Sequence, residues 1–315
     1  MIDENHLAID CRGLVKVYDG RVRAVDGLDL QVRRGECFGL LGPNGAGKTT
    51  TVEILEGLAE PTDGEVRVLG KRWSEDERGL RERIGLSLQE TLFIDRLTVE
   101  ETLRLFRSFY ARGPTVDELL AKVSLEEKRR ALTMKLSGGQ KQRLAVGCAL
   151  AGDPELLFLD EPTTGLDPQS RRQLWDVIAE LVRRGRTVVL TTHYMDEAER
   201  LCDRVAVVDR GKVIALGTPE ELIASLGGSQ VVELVADGAL DEAKLASIDG
   251  VRGVRPLSEA PPGQGATLHV DGLEVALPAL LDALRGWGRR PTMLRTHRAT
   301  LEDVFVHLTG RQLRD

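Results

Sequence analysis

The sequence predicts an α/β fold: a mostly parallel sheet wrapped by helices and bordered by an antiparallel sheet, with a small α+β domain after it. Three observations carry that expectation. Four short apolar runs, CFGLLG (37–42), LLFLD (156–160), TVVLTT (187–192) and RVAVVD (204–209), show no polar alternation, as strands covered on both faces require. Longer helical patterns separate these runs. A glycine-rich turn, GPNGAGK (42–48), follows the first run and opens a helix-forming stretch.

Taken in order, LAIDCRGLVKVY, GLDLQV and GEVRVLG alternate apolar and polar residues, which suits an antiparallel edge sheet with one face toward the core. Residues from about 92 to 135 are helical in pattern, and VEETLRLFRSFYAR is apolar at helical spacing, so a helical subdomain is expected over about 92–150. The helix TPEELIAS carries an N-cap, first-position proline and capping box in Thr218, Pro219 and Glu221. Gly227-Gly228 then read as a linker, which sets a main domain at 1–226 and an accessory α+β domain at 227–315. Within the latter, SQVVELVAD, VRGVRPL, ATLHVDG and TMLRTH read as strands. LDEAKLASI, EVALPALLDALRGWG and the tail TLEDVFVHLTGRQL read as helices. The order β-α-β-β-α-β, with one helix added, is the ferredoxin-like split unit.

Composition narrows the function classes. The 315 residues are 42% apolar and 30% charged, as in a globular protein, and the net charge of −7 argues against a general nucleic-acid binder. Cys11, Cys37, Cys148 and Cys202 are scattered without a CxxC pair, so neither disulfides nor a metal cluster is expected and a reducing cytoplasm fits. MIDENHLAID lacks the basic start and apolar centre of a secretory signal. The longest apolar candidate, LAVGCALAGDPELLFL, is broken by Asp153, Pro154 and Glu155 and is no membrane span. A role at a membrane would therefore need another chain to supply the membrane part.

The motif G-x-x-x-x-G-K-[ST] is present in its expected context, strand before and helix after. Gly42, Pro43, Asn44, Gly45, Ala46, Gly47, Lys48, Thr49 and Thr50 form the candidate nucleotide loop. Its backbone N–H groups and the positive end of the next helix suit phosphate oxygens. Lys48 is placed for the β- and γ-phosphates, and the Thr49 hydroxyl for Mg²⁺. Asp160 ends an apolar strand at its carboxyl end, where open α/β sheets bind ligands, and can hold Mg²⁺. Glu161, one residue on, can polarise a water. Downstream, LSGGQ (136–140) opens a helix with Ser137 as N-cap, so Ser137, Gly138, Gly139 and Gln140 look like a second anion site.

GPNGAGKTT, LSGGQ, LLFLDEPTTGLD and TTH, in that order and spacing, resemble the nucleotide-binding subunits of ABC transporters over roughly residues 5–225. The resemblance implies ATP and Mg²⁺ as ligands and a head-to-tail dimer, in which the LSGGQ segment of one chain closes over ATP held by the other. It also assigns roles. Tyr18 matches the aromatic that stacks on adenine, with an edge-strand core residue as the alternative. Gln89 matches the glutamine that contacts Mg²⁺ and the attacking water, although Leu88 replaces the usual preceding proline. His193 matches the histidine that hydrogen-bonds the γ-phosphate, and Asp167 the loop that couples the two sites. His6, His269, His297 and His307 match nothing and read as structural.

The tail TLEDVFVHLTGRQLRD and the stretch YMDEAERLCDRVAVVDRGKVIALGTPEEL resemble drug-resistance exporter ATPases of the daunorubicin/doxorubicin type. The implied protein is a peripheral ATPase on the cytoplasmic face of the membrane. It would work as a dimer, expected to be a homodimer because each catalytic position is suitably filled, with a separate permease that exports an amphiphilic compound. A soluble ABC ATPase acting on DNA or ribosomes, and the ATPase of an importer, stand as alternatives.

Overall fold

The computed structural model describes residues 6–88, 91–257 and 260–310, which fall into two compact units divided at Leu216/Gly217. The first unit opens with a long hairpin, β1 (Leu7–Tyr18) and β2 (Val22–Arg33), and continues through β3 (Cys37–Leu41) into α1 (Lys48–Leu55). β4 (Asp63–Val68) and α2 (Trp73–Arg83) precede the short β5 (Ile84–Ser87). Three helices follow: α3 (Val99–Arg107), α4 (Val116–Lys122) and α5 (Gly138–Ala149). Each starts at a capping box, Thr98 with Glu101, Thr115 with Glu118 and Ser137 with Gln140, so each start is written in the sequence. They pack on one another as the expected helical subdomain. β6 (Leu156–Asp160), α6 (Pro168–Arg183), β7 (Thr187–Thr192), α7 (Met195–Leu201), β8 (Arg204–Asp209) and β9 (Lys212–Gly217) complete the unit.

Two sheets result. The antiparallel sheet has the order β2-β1-β4, formed by the three alternating segments singled out in the sequence. The larger sheet runs β5-β6-β7-β3-β8-β9 and is parallel from β5 to β8. Its four central strands are the uninterrupted apolar runs. The edge strands β5 and β9 carry no strand signal in the sequence, because four residues are too few to show a period and KVIALG alternates like an exposed loop border. Ile9, Leu14, Leu28, Phe38, Leu40 and Phe158 join both sheets in one fully buried core. All four cysteines are buried and unbridged.

The second unit holds α8 (Pro219–Ala224), β10 (Gln230–Ala236), α9 (Glu242–Ala246), β11 (Val251–Pro256), β12 (Gly265–Val270), α10 (Leu273–Gly286), β13 (Pro291–Arg298) and α11 (Leu301–Thr309). Its sheet order is β11-β12-β10-β13, with each pair antiparallel, which is the expected split β-α-β-β-α-β arrangement. Val232, Leu234, Ala266, Leu268 and Val270 pack one sheet face against Leu245, Ala276, Leu280 and Leu284 of α9 and α10.

Candidate nucleotide site

Three neighbouring strands deliver the site. β3 lies beside β7, with Leu41 opposite Thr192, and β6 lies on the far side of β7, with Asp160 opposite Thr191. The carboxyl ends of all three are therefore level, and the nucleotide loop, Asp160-Glu161 and His193 leave the sheet together.

The loop is held open by close packing behind it. A Cβ on Gly42 would lie 2.2 Å from the Val208 carbonyl oxygen, and one on Gly47 would lie 2.3 Å from that of Ala24. Both also have positive φ, 156° and 99°, so side chains are excluded twice over. Ala46 accepts from the Gly211 N–H at 2.8 Å, which ties the loop to the β8–β9 turn. Gly45 and Asn44 stand exposed at the tip.

Lys48 is 5% exposed, and its Nζ donates to the carbonyls of Gly42 at 2.7 Å and Pro43 at 3.1 Å. The ammonium thus curls back over the loop, using backbone oxygens as acceptors where phosphate oxygens would serve. Burial pushes its pKa below the ordinary lysine value, against the opposing pull of Glu161 and Asp160. The adjoining Thr49 is exposed and Thr50 half-buried in the first turn of α1.

The acidic pair is locked by Thr191, a residue sequence reasoning missed. Its hydroxyl donates to Asp160 Oδ1 and accepts from the Glu161 N–H at 2.9 Å. Glu161 has φ 43°, a left-handed backbone uncommon for a residue with a side chain and costing on the order of 1–3 kcal/mol. Its carboxylate accepts from the Thr164 hydroxyl at 3.1 Å and lies 3.2 Å from His193 Nδ1. With Nδ1 toward Glu161, Nε2 is the ring nitrogen left to face another partner. Tyr194 stacks beside the imidazole at 4.2 Å between centroids.

The remaining candidates are distributed. Tyr18 ends β1 with 38% exposure, and Lys16 Nζ lies over its ring, 5.0 Å from the centroid. Gln89 lies outside the described residues. Ser137 is an exposed N-cap that accepts from the Gln140 N–H at 3.3 Å, while Gln140 Oε1 accepts from the Ser137 N–H at 3.1 Å. A Cβ on Gly138 would meet only Leu166, at 3.8 Å, whereas one on Gly139 would lie 2.5 Å from the Ser170 side chain. Gly138 is thus free for a ligand, and Gly139 is dictated by α5–α6 packing within the chain. Asp167 caps α6, accepting from Gln169 and Ser170 N–H at 3.0 Å each. Those bonds, with the Ser170 hydroxyl foremost, lower its pKa.

The site brings together a glycine-rich loop, a carboxylate pair and a histidine. A family model for ABC transporters matches residues 25–164. The Nod factor export ATP-binding protein I of Cupriavidus pinatubonensis is 43% identical over 98% of this chain and 92% of its own length. The chain belongs to the ATP-binding subunits of ABC transporters. Another relative of this ABC subunit, the daunorubicin/doxorubicin resistance ATP-binding protein DrrA of Streptomyces peucetius, is 42% identical over 98% of the chain and 94% of its own. Among solved structures, an ABC transporter ATP-binding subunit is similar with TM-score 0.63 and 30% identity, over 70% of this chain and 93% of that one. A dimeric ATP-binding cassette in a post-hydrolysis state with ADP and Pi is similar with TM-score 0.60 and 28% identity, over 67% and 98%. The ABC subunit described here is accordingly an ATPase.

Proposed function

We propose that this ABC subunit powers an exporter, coupling closure of an ATP-bound dimer to expulsion of a drug-like or other amphiphilic compound through a separate permease. One observation carries the reading. The likeness to exporter subunits runs over 98% of the chain and so includes the C-terminal unit, whereas the solved cassettes match about 70% or less. No helix among the described residues is long and apolar enough to cross a membrane, which agrees with a permease on another chain.

In this reading Lys48, the loop amides and the N-terminus of α1 neutralise charge on the transferring phosphoryl group. Glu161 accepts the proton of the attacking water, and His193 holds that carboxylate in place. Thr49 and Asp160, with Gln89 expected beside them, are hard oxygen donors suited to Mg²⁺, which would supply further neutralisation of the β- and γ-phosphates. Ser137, Gly138 and Gln140 face a nucleotide held by a second copy of the chain, and Asp167 stands at that junction.

The permease is expected to dock where apolar side chains are left in solvent. Leu92 is 95% exposed and Ile94 61%; Phe109, 69% exposed, lines a separate cleft with Trp73, Phe106 and Tyr110. Phe93, between the first two, is half-buried, so Leu92 is the cleaner position to change. The test is co-expression with a neighbouring-gene product of about six hydrophobic spans. Wild type should co-purify with it in membranes and lower cellular accumulation of an amphiphilic drug. Leu92→Asp should stay folded and hydrolyse ATP in solution while losing both. Recruitment undiminished in Leu92→Asp would place docking elsewhere, and absence of any membrane partner for wild type would sink the exporter reading.

A further inference from the structure

The face of the C-terminal sheet opposite α9 and α10 carries two cross-strand rows. Register sets His297, Val231, His269 and Gly253 side by side, and Arg295, Glu233, Thr267 and Arg255 in the next row. Directly opposite residues share a face, so these side chains project together. α11 contributes to the same place: Asp303 lies 3.2 Å from His297 Nε2, and Arg255 Nη1 donates to the His307 carbonyl. Between the rows and α11 is a cavity of about 840 Å³ with Leu257 and Val306 as its apolar wall. That is the size of a small-molecule site. Three of the histidines that matched nothing in the sequence thus line one cavity.

Two features mark it as built for a ligand. His269 is 3% exposed, yet its Nδ1 has no hydrogen-bond partner, and the Nδ1 of His307 is equally unpartnered. Buried polar atoms are almost always paired in native proteins. The charges are also unequal in their pairing. Glu233 is matched by Arg295 at 3.3 Å, and Asp303 by His297 and by the N–H and hydroxyl of Thr300. Glu242 and Glu302 stand exposed at the rim. Among the described residues no carboxylate forms an ion pair with Arg255, whose remaining N–H groups are left for another acceptor.

We propose that this cavity binds a small organic anion, a carboxylate or phosphate monoester on an apolar body, with its acidic group on Arg255 beside His269 and His307. Arg255 supplies the charge and a forked set of donors. Burial pushes both imidazoles below the ordinary histidine range, so at neutral pH each brings one N–H donor and no charge. The apolar wall accepts the body of the molecule.

The full chain, labelled with ¹³C at its 5 histidines, is titrated separately with benzoate, phenyl phosphate, inorganic phosphate and Zn²⁺ while ring resonances are followed. His193 reports any occupancy of the nucleotide loop independently. Benzoate or phenyl phosphate should shift His269 and His307 saturably, and whichever binds identifies the acidic group. Arg255→Gln should weaken that binding about tenfold or more. Arg255→Lys, which keeps the charge and loses the fork, should weaken it less and serves if the glutamine variant disturbs α11. The proposal fails if neither organic anion shifts these resonances up to millimolar concentration. It fails equally if both variants bind like wild type, or if only Zn²⁺ acts there. Inorganic phosphate binding as tightly as phenyl phosphate would reduce the site to an adventitious ion only.

Discussion

At the scale of single residues, the chemistry of the nucleotide site was legible wherever a role belongs to a residue type. The loop that leads to Lys48, the Asp160-Glu161 pair and His193 follow strand ends that lie level. Thr191 was not legible, because its role comes from standing opposite Asp160 across two strands. Glu161→Gln should lower the ATP turnover rate by about 10²–10⁴-fold while leaving ATP affinity within a few-fold of wild type, since an amide cannot take the water's proton. Steady-state turnover and equilibrium ATP binding on the same preparation check both halves; wild-type turnover would remove Glu161 from the role. Glu56 gives a second residue-scale prediction. It is 3% exposed, and burial first, then Asp160 and Glu53, raises its pKa from 4.5 to about 8. Below pH 4.5 the folded and unfolded chains both hold this proton. As pH rises toward 8 the unfolded chain loses it while the folded chain keeps it, so stability falls across that window and levels off above it. Glu56→Gln removes the slope. Its stability relative to wild type, from urea midpoints, should grow by something on the order of a few kcal/mol between about pH 5 and 8. A difference independent of pH would mean that Glu56 is ionised when folded.

Among elements, legibility followed length and period. The four uninterrupted apolar runs form the central strands and the alternating segments the antiparallel sheet, while β5 and β9, at four and six residues, are too short to carry a pattern. The start of α8 was legible from Thr218, Pro219 and Glu221, and that of α5 from LSGGQ. The reason for its second glycine was not, since only packing brings Ser170 to Gly139. An added Cβ at 2.5 Å from Ser170 Cβ and Oγ must force α5 and α6 apart. Gly139→Ala should therefore destabilise the first unit by about 1–3 kcal/mol, despite alanine's better helix propensity. Ser170→Gly removes both clashing atoms. The double variant should recover most of that loss, leaving about 1 kcal/mol for glycine in α6. Thermal unfolding of the four members of this cycle is the measurement. An unrescued double variant would point instead to a direct demand on the Gly139 backbone, as from a bound phosphate.

For the molecule as a whole, the question is whether one chain can complete a site. Lys48 Nζ is bound to the Gly42 carbonyl of its own loop, and the Ser137 hydroxyl oxygen caps its own helix. If the two belong to different nucleotides, the lesions Lys48→Ala and Ser137→Ala should complement in trans. Each variant alone should lose ATP-driven dimerisation, Lys48→Ala by losing ATP and Ser137→Ala by losing the partner's grip on it. The latter also costs about 1 kcal/mol of helix capping, so its folding must be confirmed by unfolding measurements first. Mixed, the two chains form a heterodimer in which one composite site carries both lesions and the other carries neither. Because neither variant dimerises with its own kind, the dimers formed on equal mixing are heterodimers with one sound site of two, hence up to about half of wild-type turnover if the sites act independently. Analytical ultracentrifugation gives a readout that does not depend on that independence. The mixture with ATP should contain a dimer holding one nucleotide, which neither variant forms alone. A mixture that stays monomeric, with both chains folded and the Ser137→Ala chain loaded with ATP, would show that Ser137 does not reach across to a second chain.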